Sequence, residues 1–184
     1  MRRYAMRVFI LAVTTATFAG VANAQRLDPA VQAKIDARLQ SIKSLAADPT
    51  LIAAVKAINS EAPSEYATMT EEKWAQLSIL DPLVKHFTSN DVASVLKAKK
   101  GDEISEAFVS AADGTKVAFL SKTTNFCHKG KAKHDAPMTG KTWQGPVEVD
   151  KSTGVQQVQV AVPVVDNGEP IGSLVVGFAV AKMR

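Results

Sequence analysis

The chain has 184 residues, with 22 Lys+Arg against 18 Asp+Glu, and 46% of its residues are hydrophobic. This suits one ordinary globular domain with a core large enough to need no cross-link, and it excludes a highly charged disordered chain. Its one cysteine, Cys127, excludes an intrachain disulfide framework and four-cysteine zinc or iron–sulfur sites.

The first 24 residues read as a secretory signal peptide. Arg2, Arg3 and Arg7 precede an apolar run from Val8 to Gly20, and Ala22-Asn23-Ala24 has the pattern of a cleavage site. The run is short for a membrane span. Cleavage near Ala24 removes three arginines and no acid, so the formal net charge falls from +4 to +1. The basic balance is therefore largely an export signal, and the expected product is a soluble periplasmic or secreted domain over residues 25–184.

The first half of that domain has helical periodicity. Val31, Ile35, Leu39, Ile42 and Leu45 form one stripe, with Lys34, Arg38 and Gln40 off it. Asp48-Pro49 is a capping pair, so a second helix is expected from Pro49 to Ile58. Ser60 to Thr68 reads as a polar loop. Thr70 caps a helix with Trp74 and Leu77 as its core residues, and Asp81-Pro82 repeats the cap signal. A further helix runs from about Asp91 to Lys100, with Gly101 as its C-terminal stop.

The period then changes to two. Ile104–Ala112 and Thr115–Ser121 read as strands joined by Asp113-Gly114. Pro146–Asp150 is a short strand. Val158, Val160, Val162 and Val164 share one face of the next, opposite Gln157, Gln159 and Ala161. Pro163 implies an edge, a bulge or a limited paired length there. Ile171–Val180 is apolar enough for a central strand. The expected fold class is α+β, with helices packed on one face of a five-stranded antiparallel sheet. Lys122 to Gly145 fits no regular element, and a connection of that length is usually functional.

Within that segment, Asp135 to Thr142 nearly spells a phosphate loop. Asp135 replaces its first glycine, Pro137 removes a donor, and no helix pattern follows. Cys127-His128 ends like a c-type haem site, but Thr124 stands where the second cysteine belongs. Cys127, His128 and His134 match no strong zinc spacing. No G-x-S-x-G or H-E-x-x-H motif is present, and no base is placed to activate Cys127, so a non-enzymatic protein with no metal site is expected. Lys122, Lys129, Lys131, Lys133 and Lys141 face one acid, Asp135, which gives residues 121–141 a net +4. Such a loop attracts a small anion or an acidic surface. An exported domain with a lysine-only cluster is not expected to bind nucleic acid.

Several stretches, in order, carry a family resemblance. Ala47-Asp48-Pro49, Val55-Lys56-Ala57, Ser105-Glu106-Ala107-Phe108-Val109 and Asp113-Gly114 resemble extracytoplasmic Cache sensor domains, also called PDC domains. Lys122 to Phe126 resembles that family's step from strand to loop, and Glu148 to Gly154 its hairpin. Val158 to Val164 and Ile171 to Gly177 resemble its last two strands. The resemblance implies a PAS-like fold with a long N-terminal helix, and a small ligand, often a carboxylate or amino acid, held between sheet and loop. Three features depart from the family. The sequence ends at Arg184 just after the last strand, so a partner is expected to relay any signal. The last strand reads Val176-Gly177-Phe178, without the acid that grips an amino group in some members. The aromatic loop start is replaced by Phe126 to Gly130.

The expected pocket residues are Phe108, Phe119, Lys122, Phe126, His128, Lys133, Trp143 and Gln159. The aromatics wall it, Lys122 and Lys133 neutralise a small organic anion, and Gln159 orients it. Two other readings stand beside this one. The first is a ligand-free adaptor docking on a membrane receptor or transporter, with an exposed apolar patch on the first helix. The second is a single-thioether haem sensor at Cys127 and His128, whose Soret band should vanish in Cys127→Ser. Homodimerisation through the first helix is a further expectation.

Overall fold

The computed structural model describes residues 27–183. The signal peptide and the cleavage site near Ala24 lie outside them. Asp48-Pro49 and Asp81-Pro82 open helices as expected, and Asp28-Pro29 opens a third. Asp28 accepts from the Ala30 amide ahead of α1 (Pro29–Ala46), Asp48 from Thr50 ahead of α2 (Pro49–Ser60), and Asp81 from Leu83 ahead of α5 (Pro82–Ser89). In each, proline takes a position whose amide would lack a helical partner anyway. Thr70 caps α4 (Glu71–Gln76) and Asn90 caps α6 (Asp91–Lys99).

Two local expectations are corrected. The Ser60–Thr68 stretch holds a short helix, α3 (Ser64–Ala67), because Tyr66 is buried against Phe87 and Phe126. Gly101 is not a left-handed helix stop. The chain leaves α6 through Lys100, which is already extended at φ −69°, ψ 112°.

The strands are β1 (Ile104–Ala111), β2 (Lys116–Phe119), β3 (Trp143–Val149), β4 (Gln156–Asp166) and β5 (Glu169–Ala179), with α7 (Ala132–Asp135) between β2 and β3. They form one antiparallel sheet in the order β2-β1-β5-β4-β3. The Asp166-Asn167-Gly168 turn has positive φ at both Asn167 (50°) and Gly168 (87°), the backbone twist that two-residue hairpins favour. Pairing with β3 stops at Ala161, so Pro163 pairs only with Ser173 on β5. The missing amide of Pro163 thus falls where β4 has no strand on its other side.

The valine alternation is as read. Val158, Val160, Val162 and Val164 join Val109, Leu174 and Val176 in a core covered by α1, α2 and α6. The other sheet face is not bare. Phe108, Phe119 and Val175 are apolar there and need cover, so α3, α4 and α5 reach round the β2 edge to supply Tyr66, Trp74, Val84 and Phe87. The helices therefore serve both faces instead of one. This is the α+β, PAS-like arrangement expected, with a long N-terminal helix and a five-stranded antiparallel sheet.

Candidate functional site

The segment after β2 is folded onto the second sheet face by specific bonds. Glu71, in the first turn of α4, accepts from Asn125 Nδ2 (3.2 Å), the Phe126 amide (3.0 Å) and the Cys127 amide (2.9 Å). The His128 amide donates to the Gly114 carbonyl at 2.8 Å, and Thr115 bridges to Cys127. Gly114 sits at φ +88°, and a Cβ there would meet the Lys129 nitrogen at 2.3 Å. Only glycine suits that turn, on both counts. Farther on, buried His134 contacts Ser173 Oγ at 2.8 Å through Nδ1 and the Ala112 carbonyl at 3.2 Å through Nε2. The near phosphate-loop sequence begins on the last residue of α7 and forms a single 3₁₀ turn closed by Gly140.

Under this cover the alternation of β1, β4 and β5 presents a polar row: Glu106, Ser110, Gln157, Gln159 and Ser173, all buried. Lys116 joins it from β2, opposite Ser110. Glu106 accepts from Gln157 Nε2 (3.1 Å) and Gln159 Nε2 (2.6 Å), and Lys133 Nζ donates to Gln159 Oε1 at 2.9 Å. Lys116 is 0% exposed. Its amine meets His128 Nδ1, lies 3.3 Å from Ser110 Oγ and stands 4.0 Å from the centre of the Phe108 ring. No carboxylate among the described residues is within ion-pair distance of it.

Burial sets the charges here. It pushes Glu106 up, with help from Asp150, against the amides of Gln159 and Gln157 and the charge of Lys133. Burial, then Lys116 and Lys133, push His128 down to about 2. The imidazole is therefore neutral, and Nδ1 accepts from Lys116. Burial also holds Lys116 well below the usual lysine range, against the charge of Glu106. Asp150 is pushed up by burial, but bonds from Ser152 and Thr153 outweigh this and leave it low.

Both His128 and Lys116 bind fewer protons folded than unfolded, so each makes stability rise with pH. The His128 share is lost as pH falls below 6.5. The Lys116 share is still growing as pH approaches 10.5. Glu106, raised, works in the opposite sense as pH rises above 4.5. Tyr66, pushed up mainly by burial, opposes the rise only above pH 10. Urea unfolding from neutral pH to pH 10 should thus show wild-type stability climbing by up to about 1.4 kcal/mol per pH unit. Lys116→Met should flatten that climb. A flat wild-type profile would contradict the assignment.

A cleft of about 370 Å³ opens beside this row. Glu106 and His128 line it with Thr123, Thr124 and Asn125 from the loop, Lys131 and Lys133 from the start of α7, and Glu148 to Lys151 from the β3–β4 connection. Its walls carry both signs of charge, because Glu148 and Asp150 face the basic loop. A groove of about 540 Å³ lies elsewhere, between α1 and the end of β5, and its polar rim is partly closed by the Arg38–Glu103 ion pair at 3.0 Å. Unlike the groove, the cleft adjoins buried ionisable groups, which is the mark of a small-molecule site.

Of the residues expected from sequence, His128 and Lys133 line the cleft, and Gln159 bonds to both Lys133 and Glu106. Phe108 lies beneath, 4.7 Å from the His128 ring and 5.8 Å from Lys133 Nζ. Phe119 and Phe126 are enclosed with Trp74 and Phe87 in an aromatic cluster, and Trp143 packs on its edge. Lys122 stands over Trp74 at 4.9 Å, away from the cleft lining. Cys127 Sγ lies 3.4 Å from the Asp113 carbonyl. The His128 ring is packed against Phe108 and Lys116, so a haem joined at Cys127 would have to displace both. Sequence reasoning missed Glu106 and Lys116 as site residues. Their signal was a lone charge in each of two strands that are otherwise without charge.

No family profile matches the sequence. No curated protein matches it either. Solved structures do. They include the sensory domain of the Campylobacter jejuni chemoreceptor Tlp3 with isoleucine bound (15% identity, TM-score 0.44, 86% of this chain and 66% of that one). The ligand-binding domain of the Pseudomonas aeruginosa amino acid chemoreceptor PctC with GABA matches at 14% identity and TM-score 0.44, over 83% and 60%. The sensor domain of the V. cholerae histidine kinase DctB matches at 12% identity and TM-score 0.38, over 82% and 59%. The chain spans about two thirds or less of the length of these proteins. The chain is similar in fold to the Cache-type sensory domains of chemoreceptors and histidine kinases.

Proposed function

We propose that this chain is an exported, non-catalytic sensor domain that binds a small carboxylate-bearing ligand in the cleft beneath the Lys122–Gly145 segment. The observation that carries this reading is Lys133. It is a half-buried cation at the cleft wall whose hydrogen-bond partner is a neutral amide, and no carboxylate among the described residues pairs with it. A carboxylate entering the cleft gains a charged hydrogen bond there without breaking an ion pair. Gln159, bonded to Lys133 and to Glu106, would fix the direction of that ammonium. The amino acid and GABA named for the structural neighbours are small carboxylates of the size this cleft admits.

The adaptor reading asks for an apolar patch on α1. Among the described residues the exposed large apolar side chains are Ile79, Leu80, Val149 and Val165, none of them on α1. The ligand reading is therefore preferred. A thermal-shift screen of small organic acids should give reproducible stabilisation for at least one, by mass action. Lys133→Met should weaken that acid by about 1–3 kcal/mol in calorimetry. Unchanged affinity would remove Lys133 from the site.

A further inference from the structure

Lys116 is not explained by carboxylate binding. It is fully buried, it has no acidic partner, and it spends its amine on a neutral imidazole, a hydroxyl and a ring face. A lysine desolvated in this way and placed near another cation is an amine prepared to act as a nucleophile toward carbonyl carbon. Lys133 is that second cation: the Nζ atoms of Lys116 and Lys133 both stand over the Phe108 ring, at 4.0 and 5.8 Å. Of the groups touching Lys116, only His128 also lines the cleft. Reaching the amine from the cleft would require that one ring to turn.

We propose that Lys116 captures a small 2-oxo acid from the cleft as a reversible imine. The proposal rests on the carboxylate reading of the cleft and narrows it to acids that carry a neighbouring carbonyl. Lys133 holds the carboxylate, and Lys116 Nζ attacks the adjacent carbonyl carbon to form the C–N bond. One nitrogen proton passes by way of His128 Nδ1, which already faces the amine, to the new alkoxide, giving the neutral carbinolamine. The hydroxyl takes up the second nitrogen proton and leaves as water while the nitrogen lone pair forms the C=N bond. One amine and one ketone become one imine and one water, with no oxidation or reduction. Burial holds Lys116 well below its usual range, which favours the neutral amine that attacks.

The test uses the expressed chain, with pyruvate as the carbonyl acid and lactate as its reduced counterpart. The protein is incubated with pyruvate and cyanoborohydride, and the reduced adduct is located by peptide mass spectrometry. The expected result is an adduct at Lys116 ahead of exposed Lys129 and Lys131, lost in Lys116→Met, with pyruvate stabilising the fold more than lactate does. Because the adduct is mapped in the unaltered protein, a poorly folded variant would not spoil the test. If pyruvate and lactate stabilise equally and Lys116 stays unmodified, the imine is overturned while the carboxylate site stands. If neither acid nor any other small carboxylate binds, both fall.

Discussion

Trp74→Ala should destabilise the domain by about 3–5 kcal/mol, measured as a lower urea midpoint with an unchanged slope. Trp74 is fully buried at the centre of the second core. Its ring centre lies 5.4 Å from that of Phe126, 6.0 Å from Phe119 and 6.1 Å from Phe87, and two of these pairs meet edge to face. Truncation empties the volume of an indole among rings whose backbones belong to α5, β2 and the covering loop, so collapse into the gap is limited. The indole also donates to the Thr123 carbonyl at 2.8 Å. That bond anchors the first residue of the cleft wall, and its loss leaves a buried acceptor unpaired. Trp74→Phe keeps most of the volume and loses the donor, so it should cost clearly less. Equal losses for the two variants would show that the hydrogen bond, and not the packing, dominates.

Glu71→Ala should cost about 3 kcal/mol, since two backbone amides and a side-chain amide lose a charged acceptor at once. The amides of Phe126 and Cys127 point to the carboxylate at 3.0 and 2.9 Å, and Asn125 adds a third contact. Glu71 and Glu72 occupy the first turn of α4, where an acid also suits the helix dipole. The same bonds set where Asn125 and His128 meet the cleft, so ligand affinity should fall along with stability. Glu71→Gln retains one oxygen acceptor and should recover part of both. Full affinity in a destabilised Glu71→Ala would separate the loop's anchoring from the site.

The starts of α2 and α5 were legible because a cap is a local event: Asp48 and Asp81 each bond an amide two residues ahead in their own helix. The alternation from Gln157 to Val164 was legible for the same reason, since a strand's period is written in consecutive residues. Contacts between distant parts of the chain were not. Nothing near Tyr66 announces that Phe126 will hold it in a short helix, and nothing near Glu71 shows that its partners lie 54 to 56 positions away. Lys133 and Gln159 were chosen for their chemistry, and their meeting across 26 positions is a product of the sheet order. The excess of positive charge on residues 121–141 was read correctly as sequence. Its surroundings were not readable, because Glu148 and Asp150 come to the same cleft from the β3–β4 connection and Glu106 from β1.

The central claim is the location of the ligand. Amide chemical-shift mapping on the isotope-labelled protein, titrated with the acid that gives the largest thermal shift, tests it most directly. Shifts gathered on Thr123 to His128, Lys131 to Lys133, Glu148 to Lys151 and Gln159 are the expected result. Shifts confined to the groove around Arg38, Ile42, Leu45 and Glu103 would contradict it.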